Sequence, residues 1–434
     1  MSNRPHNDPT ALTAYDIAII GGGASGLAAA IAAARSGASV CIIERDVEVG
    51  LPILATGNGR CNISNACLDP ARYRHPDIAR AVMGEHAEAD VRAFFDSLGL
   101  LMAEEDGGRL YPVTRRAESV RDVLLAAAAR EGVAFRCGAA IMGASFDDAW
   151  ELAVSEPASH LSRKPGRDAR TALRNARKAL GSAPRITHTI RAHRTILACG
   201  GSCEEPATHF GVPHLPETPV LCPVAASISG APDALTSLDG LRVEGALTLR
   251  RDGEAIWHEE GEVLFRPYGI SGIAAFNLSR RIAHQDTVII DLFPQFDREA
   301  FHALLEKRAE LLGPFSSNDP TWFDGLLAPA LAELTCRLYT ICHPGDHDVS
   351  HIVSICKHLK LDATGTAEPQ QAQVRRGGIP FDSVALDTLA VKQANGTGLF
   401  ACGEALDMDA DCGGYNLAWA WLSGIRAGKE AARA

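Results

Sequence analysis

The chain has 434 residues, with 42 lysines and arginines against 53 aspartates and glutamates, so its formal charge is −11. Hydrophobic residues make up 46% and charged residues 22%, the balance of a globular protein with room for two or three domains. The acidic excess argues against a general nucleic-acid or anionic-membrane binder, and no stretch approaches the ~18 apolar residues of a membrane span.

The first segment, "MSNRPHNDPTALTA", is polar and lacks the apolar centre of a signal peptide. It reads as a flexible tail over residues 1–13. Twelve cysteines show no repeated spacing, and several fall in apolar strands. Reduced, buried thiols in a cytoplasmic protein are the expectation. Histidines are scattered, so no metal site is expected.

"YDIAIIGGGASGLAAAIAAARSGASVCIIERD" carries the strongest signal. A short apolar strand runs into Gly21-x-Gly23-x-x-Gly26, then an alanine-rich helix, then a second apolar strand ending at Glu44. Strand, turn, helix, strand and acid together form the dinucleotide fingerprint. Gly21 permits the tight turn, Gly23 lets a pyrophosphate approach the backbone, and Gly26 lets helix and strand pack. The helix start offers N–H groups to phosphate. Glu44 accepts from a ribose and disfavours a 2′-phosphate, so FAD or NAD is expected over NADP.

"ILATGNGRCNISNAC" follows at Ile53 to Cys67. Gly57 and Gly59 allow close backbone approach. Asn58, Arg60 and Asn62 offer donors to phosphate or ring. Cys61 reads as a small packed side chain, and Cys67 as incidental. A Cys-x4-Cys or Cys-x2-Cys redox pair is absent: five residues separate Cys61 from Cys67, and three separate Cys199 from Cys203.

Arg163 to Arg194 holds ten basic residues and one acid, Asp168. "DARTALRNARKALG" puts Ala169, Ala172, Leu173, Ala176, Ala179 and Leu180 on one face and Arg163, Arg167, Arg170, Arg174 and Arg177 on another. An amphipathic basic helix over about 163–182 is expected, capped by Asp168 and ended by Gly181. A solvated face is the simplest reading. An anionic donor or substrate, such as a 2′-phosphate or a CoA, and an acidic partner are the others. "RTILACGGS" is a strand returning to the cofactor through Ala198, ended by Gly200 and Gly201.

In the middle, "GALTLRRDGEAIWHEEGEVLF" alternates around Asp252-Gly253, a hairpin signal. "DTVIIDLFP" reads as a buried strand. Asp297 to Leu312 is an amphipathic helix capped by Asp297 and ended at Gly313-Pro314. Trp322 to Tyr339 is helical with an interruption at Pro329. "HDVSHIVSICKHLKL" fits strand or helix.

At the far end, Leu399 to Cys402 forms a strand, Gly403-Glu404 a turn, and a helix starts near Gly414. Ala420, Gly424 and Gly428 make a small-residue stripe for close packing on a neighbouring helix, plausibly the first. Gly413 and Gly414 place N–H groups where they stabilise negative charge on a reduced flavin. A nucleotide site built from both chain ends favours FAD over NAD.

"ATGNGRCNISN", "GGRLYPVTRRAESVRDVL", "GISGIAAFNLSR", "IDLFP" and "GEALDMDADCGGYNLAWAWLSG" span nearly the whole chain in order. Through them the sequence resembles the bacterial flavoproteins known as aminoacetone-oxidase-like or BaiN-like NAD(P)/FAD-dependent oxidoreductases. The resemblance implies an α/β fold: a Rossmann-like FAD-binding domain built from both ends of the chain, with an inserted β-barrel-like domain and a small helical domain. The corresponding bounds are 14–214 and 366–434 for the FAD domain, 215–296 and 346–365 for the barrel, and 297–345 for the helices. FAD-contacting positions carried across by the resemblance are Gly21, Gly23, Gly26, Glu44, Gly57, Asn58, Arg60, Cys61, Ile141 on the adenine side, Gly200, Gly403, Glu404, Gly414, Tyr415, Asn416 and Leu417. Ala24, Ser25, Arg45, Gly59, Asn62 and Ala198 lie among them and complete the candidate set.

The chain departs from the family pattern at "SCEEPATHFGVP", at Arg266-Pro267-Tyr268 and at "VRRGGIP" with Arg375 and Arg376. Substrate identity is therefore open. No second glycine fingerprint exists, so NADH or NADPH would dock transiently. The leading expectation is hydride transfer between FAD and a small organic molecule, as a reductase of a conjugated double bond. A flavin amine oxidase using oxygen is the alternative, and a flavoprotein acting on RNA or a protein through the basic helix is a third. Tyr415 is the candidate proton donor and Arg60 the candidate electrostatic clamp, with Arg266 and Tyr268 as candidate substrate contacts. The alternative readings are that Tyr415 packs against the ring and that Arg60 forms a structural ion pair. Nothing in the sequence sets the oligomeric state.

Overall fold

The computed structural model describes residues 13–159, 168–343, 348–392 and 394–434. Of the expected tail at 1–13, residues 1–12 lie outside them and Thr13 already belongs to the first strand, and the start of the basic helix at 163–167 lies outside them too. The chain folds as two compact units, one from the segment up to Thr218 with Val374–Ala434, the other from Pro219–Gln373.

The first unit opens with β1 (Thr13–Ile20), α1 (Ala24–Arg35) and β2 (Val40–Glu44). Strands β3 (Ser64–Asn65), β4 (Met102–Glu105) and β5 (Arg109–Pro112) make a small antiparallel sheet in the order β3-β5-β4. Helices α2 (Pro76–Met83), α3 (Ala87–Ser97) and α4 (Ala117–Arg130) accompany it. Then come β6 (Ala134–Cys137), β7 (Ala140–Phe146), β8 (Trp150–Pro157), α5 (Ala169–Ser182), β9 (Arg185–Leu197), α6 (Glu204–His209) and β10 (Leu215–Val220).

The second unit is a closed barrel of β11 (Val224–Ile228), β12 (Arg242–Arg251), β13 (Glu254–Arg266), β14 (Gly269–Ser271), β15 (Thr287–Asp291) and β16 (Leu359–Thr366). Helices α7 (Ile273–Ser279), α8 (Arg298–Leu312), α9 (Pro329–Cys342) and α10 (Val349–Lys357) share its core: Leu247, Val263 and Phe265 cluster with Phe301, Trp322 and Leu334. The Asp252-Gly253 turn takes φ 52° and 86°, a two-residue turn with both centres left-handed. Asp297 caps α8, accepting from the N–H of Ala300 at 2.7 Å. Pro329 does not interrupt a helix; it begins one, where its missing N–H costs nothing. The segment that fitted strand or helix is both, α10 followed by β16.

The chain returns to the first unit through β17 (Val374–Gly378), β18 (Leu399–Ala401) and α11 (Tyr415–Arg433). The main sheet runs β6-β2-β1-β9-β8-β7, with β18 also paired to β9. β1 is parallel to β2 on one side and to β9 on the other, and β18 is parallel to β9, so these four strand ends open toward one edge. The alanines of α1 are explained by α11. A Cβ on Gly424 would lie 2.4 Å from the Ser25 carbonyl oxygen, and one on Gly428 2.2 Å from that of Ala29. The small-residue stripe thus seats α11 directly on the α1 backbone.

Gly181 does not end α5, which continues to Ser182. It stops at Ala183, whose ψ of 137° is the extended conformation that the following Pro184 imposes.

Candidate functional site

The glycine turn after β1 is crowded where it meets protein and open where a ligand would enter. Gly21 has φ +106°, and a Cβ there would sit 2.4 Å from the Ala198 carbonyl oxygen at the end of β9. A Cβ on Gly26 would lie 2.0 Å from the Gly21 oxygen. At Gly23 a Cβ would meet nothing within 4 Å. Gly23 caps α1 without a side-chain acceptor, and the first turn holds no acid. The free N–H groups of Ala24, Ser25 and their neighbours therefore converge on space fit for a pyrophosphate.

Glu44 is nearly buried at 9% exposure. Its Oε2 accepts from the N–H of Gly22 at 2.8 Å and its Oε1 from that of Asp46 at 2.8 Å. The carboxylate is thus oriented by the phosphate turn itself, with further lone pairs left for ribose hydroxyls. Ile141 is buried on β7, and Arg45 is exposed.

The loop from Leu51 to Gly59 is built of 3₁₀ turns broken at its end. Gly57, Asn58, Gly59 and Cys61 all have positive φ, two of them without the freedom of glycine. Such conformations cost about 1 kcal/mol each and cluster where backbone must face a ligand. A Cβ on Gly59 would again meet nothing within 4 Å. Burial pushes the Cys61 thiol up to about 12, so it is a neutral, packed group. Cys67 is exposed. The Arg60 guanidinium lies 4.5 Å from the Tyr111 ring centre and 3.4 Å from Glu105. Asn62, with its amide oriented to suit its neighbours, donates to the Ser64 and Leu110 carbonyls and accepts from the N–H of Gly414 at 3.0 Å.

The far end of the chain closes the same site. Gly403 has its N–H on Ser423 Oγ at 2.9 Å and its carbonyl on Trp419 Nε1 at 2.9 Å. A Cβ on it would lie 2.4 Å from Ser25 Oγ, which fixes it against the first turn of α1. Glu404 accepts from the Arg375 N–H at 2.6 Å. Desolvation pushes its carboxyl up to about 7, outweighing that hydrogen bond, with Glu217 and Asp409 adding to the rise. Gly200 is left-handed at φ +62°, with open space at its Cβ position.

Tyr415 begins α11, its ring edge-on to Tyr73 at 5.9 Å, and Tyr73 Oη donates to the Tyr415 carbonyl at 3.0 Å. Burial raises the Tyr415 phenol above its ordinary value, so it stays protonated at neutral pH. The Asn416 side chain is spent on the loop before it: Oδ1 accepts from the Ala410 N–H at 2.8 Å and Nδ2 donates to the Ala410 carbonyl at 2.9 Å. Only its backbone, with that of Leu417, is left for a cofactor.

Three residues with structural weight have no role in the sequence reading. Asp407, Asp409 and Asp411 are 5%, 0% and 2% exposed. Arg376 grips Asp409 at 2.8 and 3.0 Å, Arg74 pairs with Asp407, and Arg72 lies 3.5 Å from Asp411. The signal was present as aspartates at every second position, "LDMDAD", opposite an Arg-Arg pair. Cys199 and Cys203 are both free, with their sulfurs in contact at 3.7 Å. Arg266 and Tyr268 belong to the second unit, Arg266 paired with Asp239 at 3.0 Å and Tyr268 interacting with Glu368.

A phosphate turn, a ribose acid, a left-handed loop and a late Gly-Glu turn converging from both chain ends define an FAD-binding Rossmann flavoprotein. The family model described as HI0933-like protein Rossmann domain matches residues 15–430, and the chain belongs to this family. It is an FAD-dependent oxidoreductase. The chain is 32% identical to the 3-dehydro-bile acid delta(4,6)-reductase of Clostridium scindens, over 96% of this chain and 98% of that one. It is 24% identical to the ribosomal RNA dihydrouridine synthase of Haemophilus influenzae over 93% and 95% of the two chains. The Escherichia coli protein of that name is 23% identical over 94% and 96%. No helix among the described residues is long and apolar enough to cross a membrane.

Proposed function

We propose that this flavoenzyme reduces a carbon–carbon double bond conjugated to a carbonyl in a small organic substrate, with NADH or NADPH as the transient electron donor. The observation that carries the reading is the similarity over nearly the whole chain to a bile-acid reductase. The names of both kinds of relative describe saturation of a double bond in conjugation with a carbonyl, one on a steroid and one on a uracil ring. Bound FAD supplies the hydride chemistry.

The chain's own residues orient and shield. The glycine turn, Glu44 and the loop around Gly57–Asn62 hold the dinucleotide. The backbone of Gly413–Leu417 faces the ring end, and Arg60, stacked on Tyr111, supplies positive charge beside the loop. Tyr415 is the proton donor: its phenol is held protonated by burial, the state that general-acid work on an enolate-like carbon requires. Incubation with a 3-oxo-4-ene steroid and NADH or NADPH should give a product richer by two hydrogens. Tyr415→Phe should lower kcat about 10²-fold or more with FAD still bound. An unchanged kcat would remove Tyr415 from the chemistry.

A second reading has a specific basis. The exposed Arg170, Arg174 and Lys178 of α5 form a basic face, and two relatives are named for action on ribosomal RNA. In that case Arg170→Glu with Arg174→Glu abolishes a salt-sensitive RNA affinity. Absence of RNA binding at low salt removes the reading.

A further inference from the structure

The basic helix has a task that neither its charge pattern nor its relatives suggest. We propose that α5 clamps the adenosine end of bound FAD, with Arg177 as a positioning residue that acts on Glu44 through Asp46. The proposal rests on the adenosine ribose lying at Glu44 and is independent of the substrate.

The connection is continuous. Arg177 Nε donates to Asp46 Oδ1 at 3.0 Å and Oδ2 at 3.1 Å, and its Nη2 reaches Oδ2 at 2.5 Å. The Asp46 N–H donates to Glu44 Oε1 at 2.8 Å, and the other Glu44 oxygen accepts from Gly22 in the phosphate turn. The backbone is tied as well, with the N–H of Gly138 on the Asp46 carbonyl at 2.7 Å and that of Ala139 on the Glu44 carbonyl at 2.9 Å. Helix α5 presses on the same turn. A Cβ on Gly138, left-handed at φ +72°, would lie 2.7 Å from Leu180 Cδ1, so the Leu180 side chain of α5 rests on this turn. Ala172, Leu173 and Ala176 line the seated side, and Asp168 caps the start, accepting from the N–H of Thr171 at 2.7 Å. A guanidinium gripping a carboxylate with two nitrogens fixes a plane as well as a distance. Freed from Arg177, the Asp46 side chain gains rotational freedom, and the Asp46 N–H that helps aim Glu44 is steadied by the backbone bond from Gly138 alone.

The test compares FAD with FMN, which lacks the adenosine half. Affinities of the apo protein for each are read from quenching of flavin fluorescence. Arg177→Ala should weaken FAD about three- to tenfold, the range for a half-exposed but bidentate pair. FMN affinity should not change, Arg177→Lys should recover part of the loss, and the difference should shrink at high salt. Unchanged FAD affinity, or equal weakening of FAD and FMN, overturns the clamp. Glu44→Gln is the control for the placement: if it too leaves FAD affinity unchanged, the adenosine is not at Glu44 and clamp and placement fall together. Loss with Glu44→Gln but not with Arg177→Ala overturns the clamp alone.

Discussion

Replacing Arg376 by alanine should destabilise the protein by about 3 kcal/mol, the low end for a broken buried pair, because the guanidinium is itself partly exposed. Asp409 has no exposure at all, and Arg376 meets both of its oxygens. Removing the cation strips a buried carboxylate of the ion pair that meets both its oxygens, so the group must stay charged without that pair or take up a proton. The loop from Asp407 to Asp411 leads directly into Gly413 and Gly414, so the loss should reach the start of α11. Urea unfolding of the apo protein measures it as a lower midpoint at constant slope. Adding Asp409→Asn to Arg376→Ala should return part of the loss, because the neutral amide needs no cation. A variant as stable as the wild type would show that the pair is dispensable.

Glu404 should make the protein less stable as pH rises from about 4.5 to about 7. An ordinary glutamate loses its proton near 4.5, whereas desolvation holds this one to about 7. Between those values the folded chain keeps a proton that the unfolded chain has released, so the unfolded state binds fewer protons and stability falls with rising pH. Above about 7 the whole penalty applies, of order 1–3 kcal/mol once partial exposure is allowed for. Glu404→Gln mimics the protonated form and keeps an acceptor for the Arg375 N–H. Its Tm should match wild type near pH 4 and exceed it by a few degrees at pH 8. Loss of stability in the variant at pH 8 but not at pH 4 would mean that the ionised carboxylate is a favoured partner. The position also bears on FAD: a carboxyl still protonated near neutrality does not repel a diphosphate, and affinity should decline above pH 7.

What could be read from the sequence is what is encoded locally. The strand-turn-helix unit at Gly21–Gly26, the Asp252-Gly253 turn and the Asp297 cap each need only neighbours in the chain. The Gly424 and Gly428 stripe was legible because helical spacing projects it onto one face, although its partner α1 lies some 400 positions away. What escaped depends on contacts that no spacing records. Asn416 was a cofactor candidate, but its side chain latches Ala410. Glu44 was assigned to ribose alone, yet it is also the acceptor that organises Gly22. Cys199 and Cys203 meet because the Gly200-Gly201 turn folds the chain back on itself, a geometry unlike either familiar dithiol spacing. The end of α5 was placed at Gly181, where composition suggested it, while the constraint came from Pro184 acting on Ala183. The aspartates at 407, 409 and 411 needed Arg72, Arg74 and Arg376, two from far upstream, to become a site feature rather than an acidic run.

The central claim is that electrons pass from a nicotinamide donor through FAD to a conjugated carbonyl compound, and anaerobic half-reactions test it most directly. Mixing the holoenzyme with NADH or NADPH without oxygen should bleach the flavin band near about 450 nm. Subsequent addition of a 3-oxo-4-ene steroid should restore the band in step with formation of the saturated product. A flavin that no nicotinamide bleaches, but that amines reduce with peroxide released on exposure to air, would contradict the account and make the protein an oxidase.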